Sequence, residues 1–139
     1  MRLYPLNGKN QIYKNVSKFL IKWDGKSRSG IQFKTKQFLK KYWLGHIVYE
    51  EFPVFGSLLK VDIFNATKKL AVEVNGKQHS AFNPFFHDNS RTKYLNGIKR
   101  DYAKAQWLDK NGFTLIEIEE DEVKDLTKDF FKTKFNVDL

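Results

Sequence analysis

The chain has 139 residues, 41% of them hydrophobic and 16% aromatic, and a formal net charge of +9. That length suits one domain burying roughly two thirds of its unfolded surface without staples, and the apolar content excludes a disordered tail. With no cysteine, disulfide scaffolds, thiolate metal sites and cysteine nucleophiles are excluded; with no long apolar run or signal-like leader, a soluble intracellular protein without a membrane partner is expected.

The basic charge is concentrated early, with eleven Lys and Arg against Asp24 alone in residues 1–48 and near balance afterwards. A polyanionic partner is the functional expectation, and a lysine-rich solubilising surface is the plainer one. Residues 1–9 read as irregular. From Asn10 to Trp23, Ile12, Val16, Phe19, Leu20 and Trp23 recur at helical spacing, so 1–28 reads as a basic, helical N-terminal extension. Ser29 is a helix N-cap, and the helix to about Trp43 buries Ile31, Thr35, Phe38, Leu39 and Tyr42.

The period then changes. Ile47–Phe52 reads as a strand. Leu58–Phe64 alternates, with Leu59, Val61 and Ile63 on one side and Lys60, Asp62 and Phe64 on the other. Leu70–Asn75 alternates again, with Leu70, Val72 and Val74 inward. The short polar link between the last two predicts an antiparallel hairpin. A loop over 76–91 precedes a helix over about 92–110 burying Leu95, Ile98, Tyr102, Ala105 and Leu108. A buried strand Phe113–Ile118 follows, then a helix from Glu119. The fold class is α/β, a mixed central sheet with a three-strand antiparallel meander and a further strand after a crossover helix, flanked by helices. Residues 29–139 form its domain.

The hairpin register carries the chemistry. If paired residue numbers sum to 135, Asp62 stands opposite Glu73 and Lys60 opposite Asn75, with Cβ atoms about 4.5–5.5 Å apart. Two carboxylates at that range repel unless a cation lies between them, and a hard divalent ion, magnesium first, suits oxygen ligands. A one-residue shift would send the acids to opposite faces. Taken singly, each acid reads as a solvated sheet position.

The run Val61-Asp62-Ile63 with Val72-Glu73-Val74-Asn75-Gly76-Lys77-Gln78-His79 resembles the core of PD-(D/E)xK nucleases, in the branch of very-short-patch repair and phage homing-type or restriction-like endonucleases. The likeness covers roughly 29–120, taking in Arg100-Asp101, Asn111-Gly112-Phe113 and Leu115-Ile116. It implies a restriction-endonuclease-like fold and Mg2+-dependent hydrolysis of DNA phosphodiesters, with Mn2+ as a substitute. Asp62, Glu73 and the Val74 carbonyl would be the metal ligands, in the cytoplasm of a bacterial or phage-infected cell. A homodimer would serve double-strand cutting, although nothing in the sequence marks an interface.

One departure bears on catalysis. Asn75 stands where the family pattern has a lysine, and a neutral amide orients water and offsets charge less well. Lys60, Lys77 and Lys104 are the candidates to replace it; without a replacement, the chain would be a silent DNA-binding or recruitment module. Lys104 with Asp101 otherwise reads as an i,i+3 ion pair. His79 is either a general acid or a loop histidine bonded to backbone. A zinc site from His79 and His87 has weak spacing support. Gln32 falls where relatives often have an acid near the metal, and Gln78 is a further supporting residue. DNA contact is expected from Lys14, Lys18, Lys22, Lys26, Arg28, Lys34, Lys36, Lys40 and Lys41, as phosphate contacts. The aromatic loop 82–87 either stacks on bases or forms a small core of its own, and the acidic run Glu117–Glu122 faces away from DNA.

Overall fold

The computed structural model describes residues 2–6, 8, 10–13, 15–76 and 102–139. Strands β1 (Arg2–Leu3) and β2 (Ile12–Tyr13) form a small antiparallel pair. Helix α1 (Gly30–Trp43) precedes β3 (Val48–Pro53), β4 (Lys60–Asn65) and β5 (Leu70–Asn75). Residues 102–110 are helical, designated α2, followed by β6 (Thr114–Glu119) and α3 (Lys128–Phe135).

The main sheet runs β3-β4-β5-β6, antiparallel between the first three strands and parallel between β5 and β6. This is the mixed α/β arrangement that the periodicities predict. The Ser29 hydroxyl accepts the Gln32 N–H and caps α1 as expected. In the hairpin, Asn65 Oδ1 accepts the Lys68 N–H at 2.9 Å, and Lys69 takes a left-handed φ of 55°.

Two apolar clusters lie on the two faces of the sheet. One joins Leu39 and Trp43 of α1 and Phe131 of α3 to Ile63, Val72, Ile116 and Ile118. The other joins Trp107 and Leu108 of α2 and the N-terminal Leu3 and Val16 to Phe52, Val61, Phe64 and Ala71. Three layers follow, with the sheet buried on both sides.

Four expectations are corrected. The helix over 10–23 does not form: among the described residues the segment holds strand β2 and a 3-10 turn, Ser17–Phe19. Ile21 N–H donates to Val48 O at 2.9 Å and Leu20 bridges Tyr49, so the segment covers the free edge of β3. Satisfying that edge outweighs a marginal helix of this length. The extension is therefore built into the domain. On α1 the buried residues are Gln32, Thr35, Lys36, Leu39 and Trp43, because the helix sits over a polar network as well as the apolar core. On α2 Leu108 is buried as expected and Trp107 is buried with it, whereas Tyr102 is 65% exposed; Leu95 and Ile98 lie outside the described residues. After β6 the chain makes a 3-10 segment, Glu120–Asp125, before α3 begins at Lys128.

A break in the strand alternation positions the site. Val61 and Ile63 should share a face, but they lie in opposite clusters. The β3–β4 ladder runs from Val48↔Asn65 to Pro53↔Lys60 and omits one position, Glu51 against Asp62. Glu51 has a left-handed φ of 53°, which costs a non-glycine residue about 1–2 kcal/mol. Backbone strain of this kind concentrates where function requires it.

Candidate active site

The β4–β5 register is the one that sums to 135, at Ile63↔Val72, Phe64↔Ala71 and Asn65↔Leu70. Beyond Ile63 the ladder stops. The Val74 N–H donates to Asp62 Oδ2 at 2.9 Å instead, so a side-chain carboxylate takes the place of a strand carbonyl. Asp62 is thereby fixed, 2% exposed, at the mouth of the parting strands, beside Glu73, which is 7% exposed.

The Glu73 carboxyl is pushed up to about 8, first by burial and then by the negative charge of Asp62, with Lys104 pulling the other way. Lys104 Nζ, from α2, lies 2.9 Å from Glu73 Oε1. Among the described residues no second donor reaches Oε1, which is buried. On the other side, Arg28 Nη2 lies 3.3 Å from Asp62 Oδ1 and Arg28 Nε 3.8 Å from Glu51 Oε1. The guanidinium is exposed and spans both acids.

Beneath this lies a second polar group that sequence reasoning missed, built on Glu50 and Glu51. Gln32 Nε2 donates to Glu50 Oε2 (2.9 Å) and Glu51 Oε1 (3.1 Å), and Ser27 Oγ donates to Glu50 Oε2 at 2.6 Å. Gln32 is fully buried with its Oε1 free of any donor. Flipping the amide would set an oxygen against two carboxylates, so the chemistry fixes its orientation. Lys36 Nζ donates to Glu50 Oε1 (3.0 Å), Lys22 O (3.0 Å) and Gly25 O (2.7 Å). The available signal was two adjacent acids inside a strand, one of which must face inward.

The remaining predicted residues divide as follows. Lys36, expected to contact DNA, is 0% exposed and fully engaged with Glu50 and two carbonyls, which corrects that assignment. A lysine near the middle of a helix is unavailable to phosphate when its face is the packed one. Lys40 pairs with Asp24 at 2.8 Å. Lys18, Lys22, Lys26, Arg28, Lys34 and Lys41 are exposed. Of the three candidate lysines, Lys104 reaches Glu73, while Lys60 is exposed and its strand partner is Pro53. Asn75 donates to Glu119 Oε1 at 3.5 Å. Lys14, Lys77, Gln78, His79, the aromatic loop 82–87 and Asp101 lie outside the described residues.

The acid pair fits a hard divalent cation. It offers the oxygens of two buried carboxyls, and the mutual repulsion that raises Glu73 is what a dication would relieve. No group of three or more His, Asp or Glu forms a metal cage among the described residues. Two carboxylates leaving positions for water and phosphate oxygen are the ligand set that magnesium takes most readily.

The described residues thus form a mixed α/β layer with an acid pair at a strand opening, and no helix among them is long and apolar enough to cross a membrane. No protein-family model matches the chain, and no solved structure matches it. It is 47% identical over 66 residues to Uncharacterized protein 033L of Invertebrate iridescent virus 3, covering 48% of this chain and 34% of that protein. It is 40% identical over 60 residues to Uncharacterized protein 307L of Invertebrate iridescent virus 6, covering 43% of this chain and 30% of that protein. The chain spans about a third of the length of these curated relatives.

Proposed function

We propose that the chain is a magnesium-dependent DNA endonuclease of the restriction-endonuclease-like type. The observation that carries this reading is the Asp62–Glu73 pair at the parting of β4 and β5, two buried carboxyls side by side with the Lys104 ammonium against Glu73. The viral origin of the relatives supports a virus-borne setting.

Asp62 and Glu73, with the Val74 carbonyl, would hold Mg2+ or Mn2+. Such an ion polarises a scissile phosphate and lowers the pKa of bound water. The chain's own groups do the rest. Val74 N–H holds Asp62 in place, so its second oxygen points to the site without reorganisation. Lys104 takes the role left open by Asn75, offsetting charge that develops on the phosphate. Arg28, exposed and touching Asp62, is positioned to pass to a phosphate oxygen. Lys77 and His79 stay candidates for water orientation and for protonating the leaving oxygen. Lys18, Lys22, Lys26, Lys34 and Lys41 supply phosphate contacts.

A second reading has an observation of its own: Asp62 is paired with Arg28 and Glu73 with Lys104, so charge compensation within the chain is partly complete. That favours a DNA-binding module that keeps the architecture and does not cut. Incubation of supercoiled plasmid with the protein and Mg2+ or Mn2+ separates the two. Relaxed or linear DNA, absent with EDTA and with Glu73→Ala, supports the enzyme; intact supercoils with retained binding support the module.

A further inference from the structure

We infer that the cleft between the N-terminal segment and β3 is a backbone subsite, gripping phosphates of one nucleic-acid strand next to the Asp62–Glu73 pair. The identity of the polyanion rests on the nuclease reading; the site itself rests on its construction. A cleft of about 200 Å³ is walled by Lys18, Lys22, Lys26 and Arg28 together with Phe19 and Leu20. Glu50 and Glu51 also line it. The charge of Glu50 is offset by buried Lys36, which leaves the four cations of the lining against Glu51 and a net positive cleft. Among the described residues no ion pair uses Lys18, Lys22 or Lys26. The volume takes about one nucleotide unit, and Leu20, 48% exposed, offers an apolar surface to a sugar or base.

Two features make this a built site. The loop carrying Lys22 and Lys26 is fixed from below, since buried Lys36 donates to Lys22 O and Gly25 O and Gln37 donates to Trp23 O. The backbone that carries these cations is held in place, so binding phosphate has only the lysine side chains to order. The cleft also opens onto the chemistry: Arg28 lines it while its Nη2 lies 3.3 Å from Asp62. A strand lying in the cleft therefore leads its next phosphate toward the acid pair. Lys34 and Lys41, on α1 and outside the lining, belong to a different surface.

The test is fluorescence anisotropy of the full chain with a labelled 16-nucleotide single strand and with the matching duplex, in EDTA, across a salt series. Lys22→Ala/Lys26→Ala should weaken binding about tenfold and lower the log–log salt slope by about 1.4–1.8, the value for two lost phosphate contacts. Lys124→Ala/Lys128→Ala, at two exposed lysines outside the cleft, should change it less than threefold, and melting curves check that both variants fold. Equal losses in the two variants, or no binding by the wild type, overturn the subsite. Plasmid cleavage separates this from the parent reading. Supercoils left intact by a protein that loses affinity in Lys22→Ala/Lys26→Ala leave the cleft standing and sink the nuclease. Cleavage undiminished in that variant, at DNA below saturation, does the reverse.

Discussion

Two lysine–carboxylate pairs, built on β3 and β5 with β4 between them, differ in completeness. Lys36 Nζ is 3.0 Å from Glu50 and also donates to two backbone carbonyls, while both Glu50 oxygens are occupied. Lys104 Nζ is 2.9 Å from Glu73 Oε1, which no second donor reaches among the described residues, and the carboxyl is raised to about 8 by burial and by Asp62. A satisfied buried pair holds a structure in one arrangement, here the loop that carries Arg28 to Asp62. An under-satisfied pair beside a second acid holds free energy that a ligand can release. Residue type is the same in both; the partner count separates scaffold from site.

The largest expected effect breaks the second pair. Asp62→Ala or Glu73→Ala should lower plasmid cleavage by at least about 10³-fold, since each removes a metal-holding group; retention of activity in either would defeat the enzyme reading. Breaking the first pair should act on stability. Lys36→Met should destabilise the chain by about 3–5 kcal/mol in urea unfolding, because Glu50 is left buried and unpaired. The double variant Lys36→Met/Glu50→Met should recover most of that loss, apart from the two carbonyls it still strands. Lys104→Ala should slow cleavage by about 10²–10³-fold, as for removal of one charge-stabilising donor, with little change in melting temperature.

A smaller effect follows from pH. The folded-state value of Glu73 lies above its ordinary 4.5, at about 8, so the folded chain binds the extra proton between those values. That stabilisation is complete below about 4.5 and is lost as pH rises through 8. In EDTA the wild type should therefore melt lower at pH 9 than at pH 6, and Glu73→Gln should flatten the dependence. Mg2+ should raise the pH 9 melting temperature of the wild type and leave that of Glu73→Gln unchanged. Smallest, Ser29→Ala should cost about 1 kcal/mol through loss of the α1 cap.

The hairpin explains how far the sequence alone could reach. Alternation over Leu70–Asn75 and a short link limit the hairpin to a few registers, and the structure takes the one summing to 135, which brings Asp62 and Glu73 together. The Ser29 cap and the mixed strand order were legible for the same reason: they depend on local periodicity and on chirality rules. Alternation failed at Glu51 and Asp62, where the backbone leaves the regular ladder and the two-residue period no longer assigns faces. Helical spacing failed over 10–23, where covering the β3 edge prevailed over local preference.

Charge counting located a basic region but not which cations are free. Lys36 and Lys22 look alike in sequence; one is locked under the loop and the other lines the cleft. Nothing local distinguishes Lys60 from Lys104 as the group near Glu73, since that depends on how α2 is laid across the sheet. The sequence by itself determined the strands of the main sheet, the capped helix α1 and which two acids to pair, all consequences of neighbours along the chain. Only the tertiary structure decided burial, counter-charge and access, because an ionised side chain takes its meaning from partners far away in sequence and from the water it has lost.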